Sequence, residues 1–312
     1  MHALSVAGPR QTPKLGHTSH PAKRSTRRRR RRRRHLELEV YLQAHEHRYA
    51  LRMLFDWLFR PSRHARRKAL LAEPFPDAWR ALLAKLPFYL ALDERGQERI
   101  CDDLRVLMAE KEWQGCGGFE LTDEVRVTVA AQASLLLLNL EHEYYKHVDT
   151  ILIYPSAYRT APQTDAMGVV REGQANLGEA WRRGPVVLSW DAAKGGALDP
   201  KDGHNLVLHE FAHKLDMLDG RADGTPPLGT HEQWQQWIQT MTREFDRLKK
   251  AASETRRPAV LDTYGATNPA EFFAVATECF FEKARKLREK HPELYECLRD
   301  YYCQDPASGK LG

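Results

Sequence analysis

A histidine, a glutamate and a second histidine stand together as His209-Glu210-Phe211-Ala212-His213, inside the stretch 205–216. A helical turn is about 3.6 residues, so on a helix the two imidazoles lie one above the other on one face. At that spacing both can close on a single metal ion at about 2.0–2.1 Å, and zinc suits such donors. Glu210 sits beside the first of them, where it reaches a water at the ion rather than the ion itself and can act as a general base. The bland alternative is a surface helix with exposed histidines. Leu206, Val207, Leu208, Phe211 and Leu215 make the segment too apolar for that. Burying two unpaired imidazoles is costly, and an ion removes the cost.

A catalytic zinc takes a third protein ligand and keeps one position open. Glu271 and Glu278 both qualify. They lie two turns apart on one face of a segment that also holds Phe272, Phe273, Val275 and Phe280. Acids in so apolar a helix need a partner or an ion. Glu271 also has a purely structural explanation: with Asn268 as N-cap and Pro269 at the first helical position, it occupies the capping-box site. Glu278 has no such explanation, but it can accept the free N–H of a ligand histidine instead of binding metal. The residue types alone leave the two acids unseparated. Tyr264 can aim a neutral phenol into the site as a donor, or can be a core tyrosine bonded to backbone. Asp216, one turn beyond His213, can orient a ligand or cap a neighbour.

The elements that must position these groups read as mostly helical with a short sheet. Ala78, Trp79, Leu82, Leu83 and Leu86 form one helix-periodic segment, and residues 93–113 form another, with Ile100, Leu104, Leu107 and Met108 in phase. Gly115, Gly117 and Gly118 mark a loop. Residues 125–145 are apolar nearly all round, which predicts a central buried helix. Segments 150–154, 168–171 and 185–190 read as strands of a sheet that precedes the motif helix. Asp202-Gly203 is the expected start of that helix and Gly220 its end. An amphipathic helix is expected over 233–250, another after Asn268-Pro269, and a last one over 292–302.

The net charge is +6, but it is unevenly held. Residues 1–52 carry 14 Lys and Arg against 3 acids, leaving 34 against 39 in the remainder, so the body is mildly acidic. Eight consecutive arginines, Arg27 to Arg34, are the one feature that favours nucleic acid or another polyanion. Residues 1–52 read as a disordered arginine-rich tail, or as upstream sequence with Met53 as the true start, and 53–312 as a single domain. Five cysteines without Cys-x-x-Cys spacing fit reduced thiols in the cytoplasm. No signal peptide follows the arginines, and the longest apolar run is far below the roughly 20 residues that cross a membrane.

Several separated motifs stand in one order: Gly118-Phe119-Glu120, Leu152-Ile153-Tyr154-Pro155, Gly184-Pro185 through Trp190, His209 through Asp216, Asp262-x-Tyr264, Pro269-Ala270-Glu271-Phe272-Phe273, and Gln304-Asp305-Pro306. By these the chain resembles the Mlc titration factor A peptidases, zinc metallopeptidases of the gluzincin type whose fold is similar to the catalytic domain of anthrax lethal factor. The resemblance covers about 81–306 and leaves the arginine run outside. It implies an α+β, mostly helical, zincin-like domain with His209, His213 and Glu271 as zinc ligands and Glu210 as general base. It further implies peptide hydrolysis with water activated at the ion; aminopeptidase-like action is expected, and Tyr264 is the candidate oxyanion donor beside its alternative as a core tyrosine. It also implies a regulatory side: the family is named for sequestering a transcriptional repressor, so a non-catalytic protein that binds such a factor is the alternative.

Overall fold

The computed structural model describes residues 61–156, 163–164, 170–171, 184–254 and 260–309, with backbone alone at 163–164 and 170–171. The chain divides into two units, Met1–Ala65 and Arg66–Gly312. The arginine run, Met53 and the expected boundary at 52/53 lie outside the described residues.

Helix α1 (Arg63–Ala72) leads into α2 (Asp77–Leu83), α3 (Pro87–Leu90) and α4 (Glu94–Glu110). Asp93 starts α4 by accepting the Gly96 N–H at 2.7 Å, the expected role of a short acid at a helix N-cap. The sequence reading carried this helix on to Trp113, and the structure corrects it. At Lys111 the backbone turns extended (φ −98°, ψ 146°). The Lys111 ammonium donates to Tyr145 O and Val148 O at 2.8 Å each, and Glu112 N–H takes Asp149 O at 2.9 Å. The chain is thereby drawn into strand β1 (Glu112–Gly115).

The main sheet is parallel, in the order β1, β2 (Thr150–Tyr154), β5 (Val186–Ser189), with Trp113 opposite Ile151 and Ile151 opposite Val186. Ile151 and Ile153 of the central strand are buried, as strand alternation requires of one face. The strand expected at 168–171 is not part of this sheet. Val170–Arg171 (β4) instead pairs antiparallel with Gln163–Thr164 (β3) in a separate ribbon.

Helix α5 (Asp123–Leu137) is the buried centre, capped by Thr122 and carrying Asp123 and Glu124 against its N-terminal dipole. It stops short of the expected Tyr145. Tyr144 and Tyr145 take left-handed φ values of 51° and 50°, and Tyr145 folds back so that its hydroxyl donates to Ala133 O at 2.8 Å. After β5 come α6 (Trp190–Leu198) and α7 (Leu206–Asp216), then α8 (His231–Ser253), α9 (Pro269–Glu282), α10 (Ala284–Lys290) and α11 (Pro292–Tyr302). Helix α6 went unnoticed in the sequence, because Trp190 reads as the end of a strand. Helix α7 packs most closely on α9 and also lies against α5 and α6. The protein is thus α+β and mostly helical, with a small sheet beside the motif helix. No described helix is long and apolar enough to cross a membrane.

Candidate metal centre

The motif helix α7 begins at Asn205 rather than at Asp202-Gly203. The Asn205 side chain accepts the Leu208 N–H at 3.0 Å, and that bond sets the helix phase. After Asp216 a short turn, Met217–Asp219, closes at Gly220, whose φ of 91° is one a side chain disfavours. With this phase, Val207, Leu208, Phe211, Ala212 and Leu215 are buried, and His209 and His213 share the remaining face with their rings 4.9 Å apart. Helix α9 is phased in the same way: Asn268 accepts the Glu271 N–H at 3.0 Å, with Pro269 in the first turn.

The two helices bring three donor atoms to one point. His209 Nε2 lies 3.0 Å from Glu271 Oε2, His213 Nε2 lies 3.3 Å from the same oxygen, and the two Nε2 atoms are 3.3 Å apart. Ligands about 2.0–2.1 Å from a tetrahedral ion stand roughly 3.3 Å from one another, so this donor set fits a metal such as zinc. Among the described residues it is the one group of three His, Cys, Asp or Glu side chains that converges closely enough to hold an ion. Glu278 lies on the other side of His209, its Oε1 at 2.7 Å from Nδ1. The two acids of α9 therefore occupy different places: Glu271 faces both Nε2 atoms, and Glu278 faces the outer nitrogen of His209.

Electrostatics follow from the crowding. Burial disfavours a charged His209, but hydrogen bonds to Glu271 and Glu278 outweigh it and push the imidazole up to about 10. Burial raises Glu271, and the two histidines override that and hold it down at about 2. Glu210 is pushed up by burial, against the pull of His209 and His213.

Glu210, His209, Glu278 and Tyr264 line a cleft of about 500 Å³, together with Asp202 and His204. The Tyr264 ring stands 6.0 Å from that of His209 and is 55% exposed, so it is not a core tyrosine. Its hydroxyl is raised by partial burial and by the Glu271 and Glu210 carboxylates. Asp216 is fully buried and accepts the Gly224 N–H at 3.0 Å. Burial raises it to about 6, partly offset by that bond.

Three buried groups escaped the sequence reading. Glu282 accepts the Gly203 N–H at 2.9 Å, Asn205 N–H donates to Glu278 Oε2 at 2.5 Å, and Asn205 Nδ2 donates to Gln132 Oε1 at 2.9 Å. The signals were present: an Asn before the apolar run of α7, and a lone amide in the apolar run of α5.

The profile of the glucose-regulated metallo-peptidase M90 family matches residues 61–303. The chain belongs to the M90 metallopeptidases. An uncharacterized protein of Synechocystis is 42% identical over 245 residues, 77% of this chain and 89% of its own length. Mlc titration factor A of Serratia proteamaculans is 32% identical over 234 residues, 73% and 87% of the two chains. That of Yersinia pestis is 31% identical over 225 residues, 71% and 82%. The M90 match spans every element that carries the three convergent donors, so a metallopeptidase family and a metal-compatible site coincide on α7 and α9.

Proposed function

We propose that this M90 chain is a zinc-dependent peptidase with His209, His213 and Glu271 as ligands, Glu210 as general base and Tyr264 as oxyanion donor. The observation that carries the reading is the meeting of two Nε2 atoms and one carboxylate oxygen within 3.3 Å beside an open cleft. Zinc held there would polarise the scissile carbonyl and lower the pKa of water. The protein's own groups do the rest. Glu210, made more basic by burial, takes a proton from the attacking water and returns it to the leaving amine. Tyr264, its hydroxyl held above the usual phenol range, keeps its proton near neutrality and donates to the oxygen on which charge develops. Glu278 orients His209 through Nδ1. Asp202 on the cleft wall favours a free α-ammonium, which supports aminopeptidase-like action. The five free cysteines support a reducing, cytoplasmic setting.

The test is metal analysis of the purified chain with a peptide panel of free and blocked amino termini, each with and without chelator. Glu210→Gln should keep the metal and lose at least about 10²–10⁴-fold of the turnover. Turnover near wild type in that variant would sink the mechanism. The printed name of the Serratia and Yersinia relatives supports a second reading, that the body binds a transcriptional repressor with hydrolysis secondary or absent. Repressor capture that survives Glu210→Gln, with no hydrolysis by the wild type, would favour it.

A further inference from the structure

Gln132 sits in the middle of α5 with none of its surface exposed. Its Nε2 donates to Thr128 O at 3.1 Å and to Ala193 O at 3.2 Å. Both partners only accept, so the amide cannot flip, and Oε1 is left to accept from Asn205 Nδ2 at 2.9 Å. With its NH₂ committed, Asn205 must present Oδ1 to the Leu208 N–H, the bond that starts α7. The residue is also walled in from behind. Helix α6 closes on it at Gly196, where a Cβ would come within 2.9–3.1 Å of three Asn205 atoms. The main chain of Asn205 is thus held with its N–H on Glu278 Oε2 at 2.5 Å, and Glu278 Oε1 meets His209 Nδ1 at 2.7 Å.

We propose that Gln132 is a positioning residue for the metal centre: through Asn205 and Glu278 it fixes the proton of neutral His209 on Nδ1 and leaves Nε2 free to face His213 and Glu271. The inference rests on the ligand reading given above. A histidine whose outer N–H is held by a carboxylate has its tautomer and ring plane set for metal binding. Here that carboxylate is itself steadied from the centre of the fold by a side chain that takes no part in the donor set.

Gln132→Met keeps the volume and removes the Oε1 that accepts from Asn205, leaving Glu282 as the remaining side-chain partner of the Asn205 NH₂. Asn205→Ser keeps a capping oxygen but is too short to reach Gln132. Ser134→Ala on the same helix is the control. In the zinc-loaded wild type, ¹⁵N NMR should find a slowly exchanging proton on His209 Nδ1. Both variants should broaden or lose that signal and bind zinc about 10–100-fold more weakly by chelator competition, with Ser134→Ala unchanged. Asn205→Ser decides the matter alone if Gln132→Met gives no folded protein. Variants with wild-type zinc affinity and an intact Nδ1 proton would overturn the proposal and leave the ligand reading standing. A wild-type chain that takes up no zinc would overturn both.

Discussion

Helices α5 and α9 are buried over 12 of 15 and 10 of 14 residues respectively, so polar side chains on either have little access to water. They solve the problem differently. On α5, Ser134 Oγ donates to Ala130 O at 2.8 Å and Gln132 Nε2 to Thr128 O at 3.1 Å, both one turn back in the same helix. On α9, Glu271, Glu278 and Glu282 bond outward to His209 and His213, to Asn205 N–H, and to Gly203 N–H. The reason is chemical. A hydroxyl or amide can donate to a carbonyl that already accepts a helix bond, whereas a carboxylate only accepts and the interior amides of its own helix are spent. Donors must then come from a neighbour. A buried hydroxyl such as Ser134 can be satisfied within its own helix and an amide such as Gln132 only in part, since it also reaches Ala193 O and Asn205, while a buried acid must find all its donors on a neighbour.

The sharpest break in this contrast is at Glu271. Glu271→Ala should abolish stoichiometric zinc, whereas Glu278→Ala should retain zinc with about 10–100-fold weaker affinity, as measured by metal content and chelator competition. The reverse ranking would mean that the acids of α9 had been assigned the wrong way round.

A smaller effect is expected at Glu282. Burial raises it to about 8 from an ordinary 4.5, with Asp202 adding to the rise and the Asn205 and Gly203 hydrogen bonds opposing it. A raised acid is one whose neutral form the fold prefers. The stability it contributes is therefore complete below 4.5 and is lost as pH rises through 8. Glu282→Gln stays neutral throughout, so its melting temperature should fall less than that of the wild type between those limits. Asp216 loses its own share between 3.8 and about 6, in both proteins alike. Melting curves that stay parallel from pH 5 to about 9 would show that Glu282 is not the group titrating.

The smallest change belongs to α5. Ser134→Ala removes a donor but leaves Ala130 O with its helix partner, so urea denaturation should move by less than about 1 kcal/mol. A larger loss would mean that Ser134 does more than bond back to its own helix.

These outcomes bear on what residue order alone can reveal. The helical spacing of His209 and His213, the Asn268 cap and the helix over Pro292–Tyr302 were legible, since each is local. Glu278 was legible as an acid that needs either the ion or the free N–H of a ligand histidine, and the residue types did not choose between them. Its partner is 69 residues away, and no periodicity reports a contact of that range. Strand β1 was hidden because Trp113 continues the helical period of α4, and it becomes a strand only through pairing with Ile151. Gln132 drew no reading of its own within the apolar segment 125–145, and its place became visible only when the fold set Asn205 beside it.

Two of the three acids on α9 grip the approach to α7 by its main chain: Glu282 takes the amide of Gly203 and Glu278 the amide of Asn205. Side-chain identity at those two positions is irrelevant to the donors themselves. Alanine at 205 would remove the cap but keep the N–H, and alanine at 203 would keep the N–H but strain the left-handed turn and crowd Lys283. At those two positions only proline lacks the N–H and would undo the bond. The joint between the two site helices therefore depends on side-chain identity at the acids of α9, and on the approach to α7 it is the main-chain N–H that each acid grips.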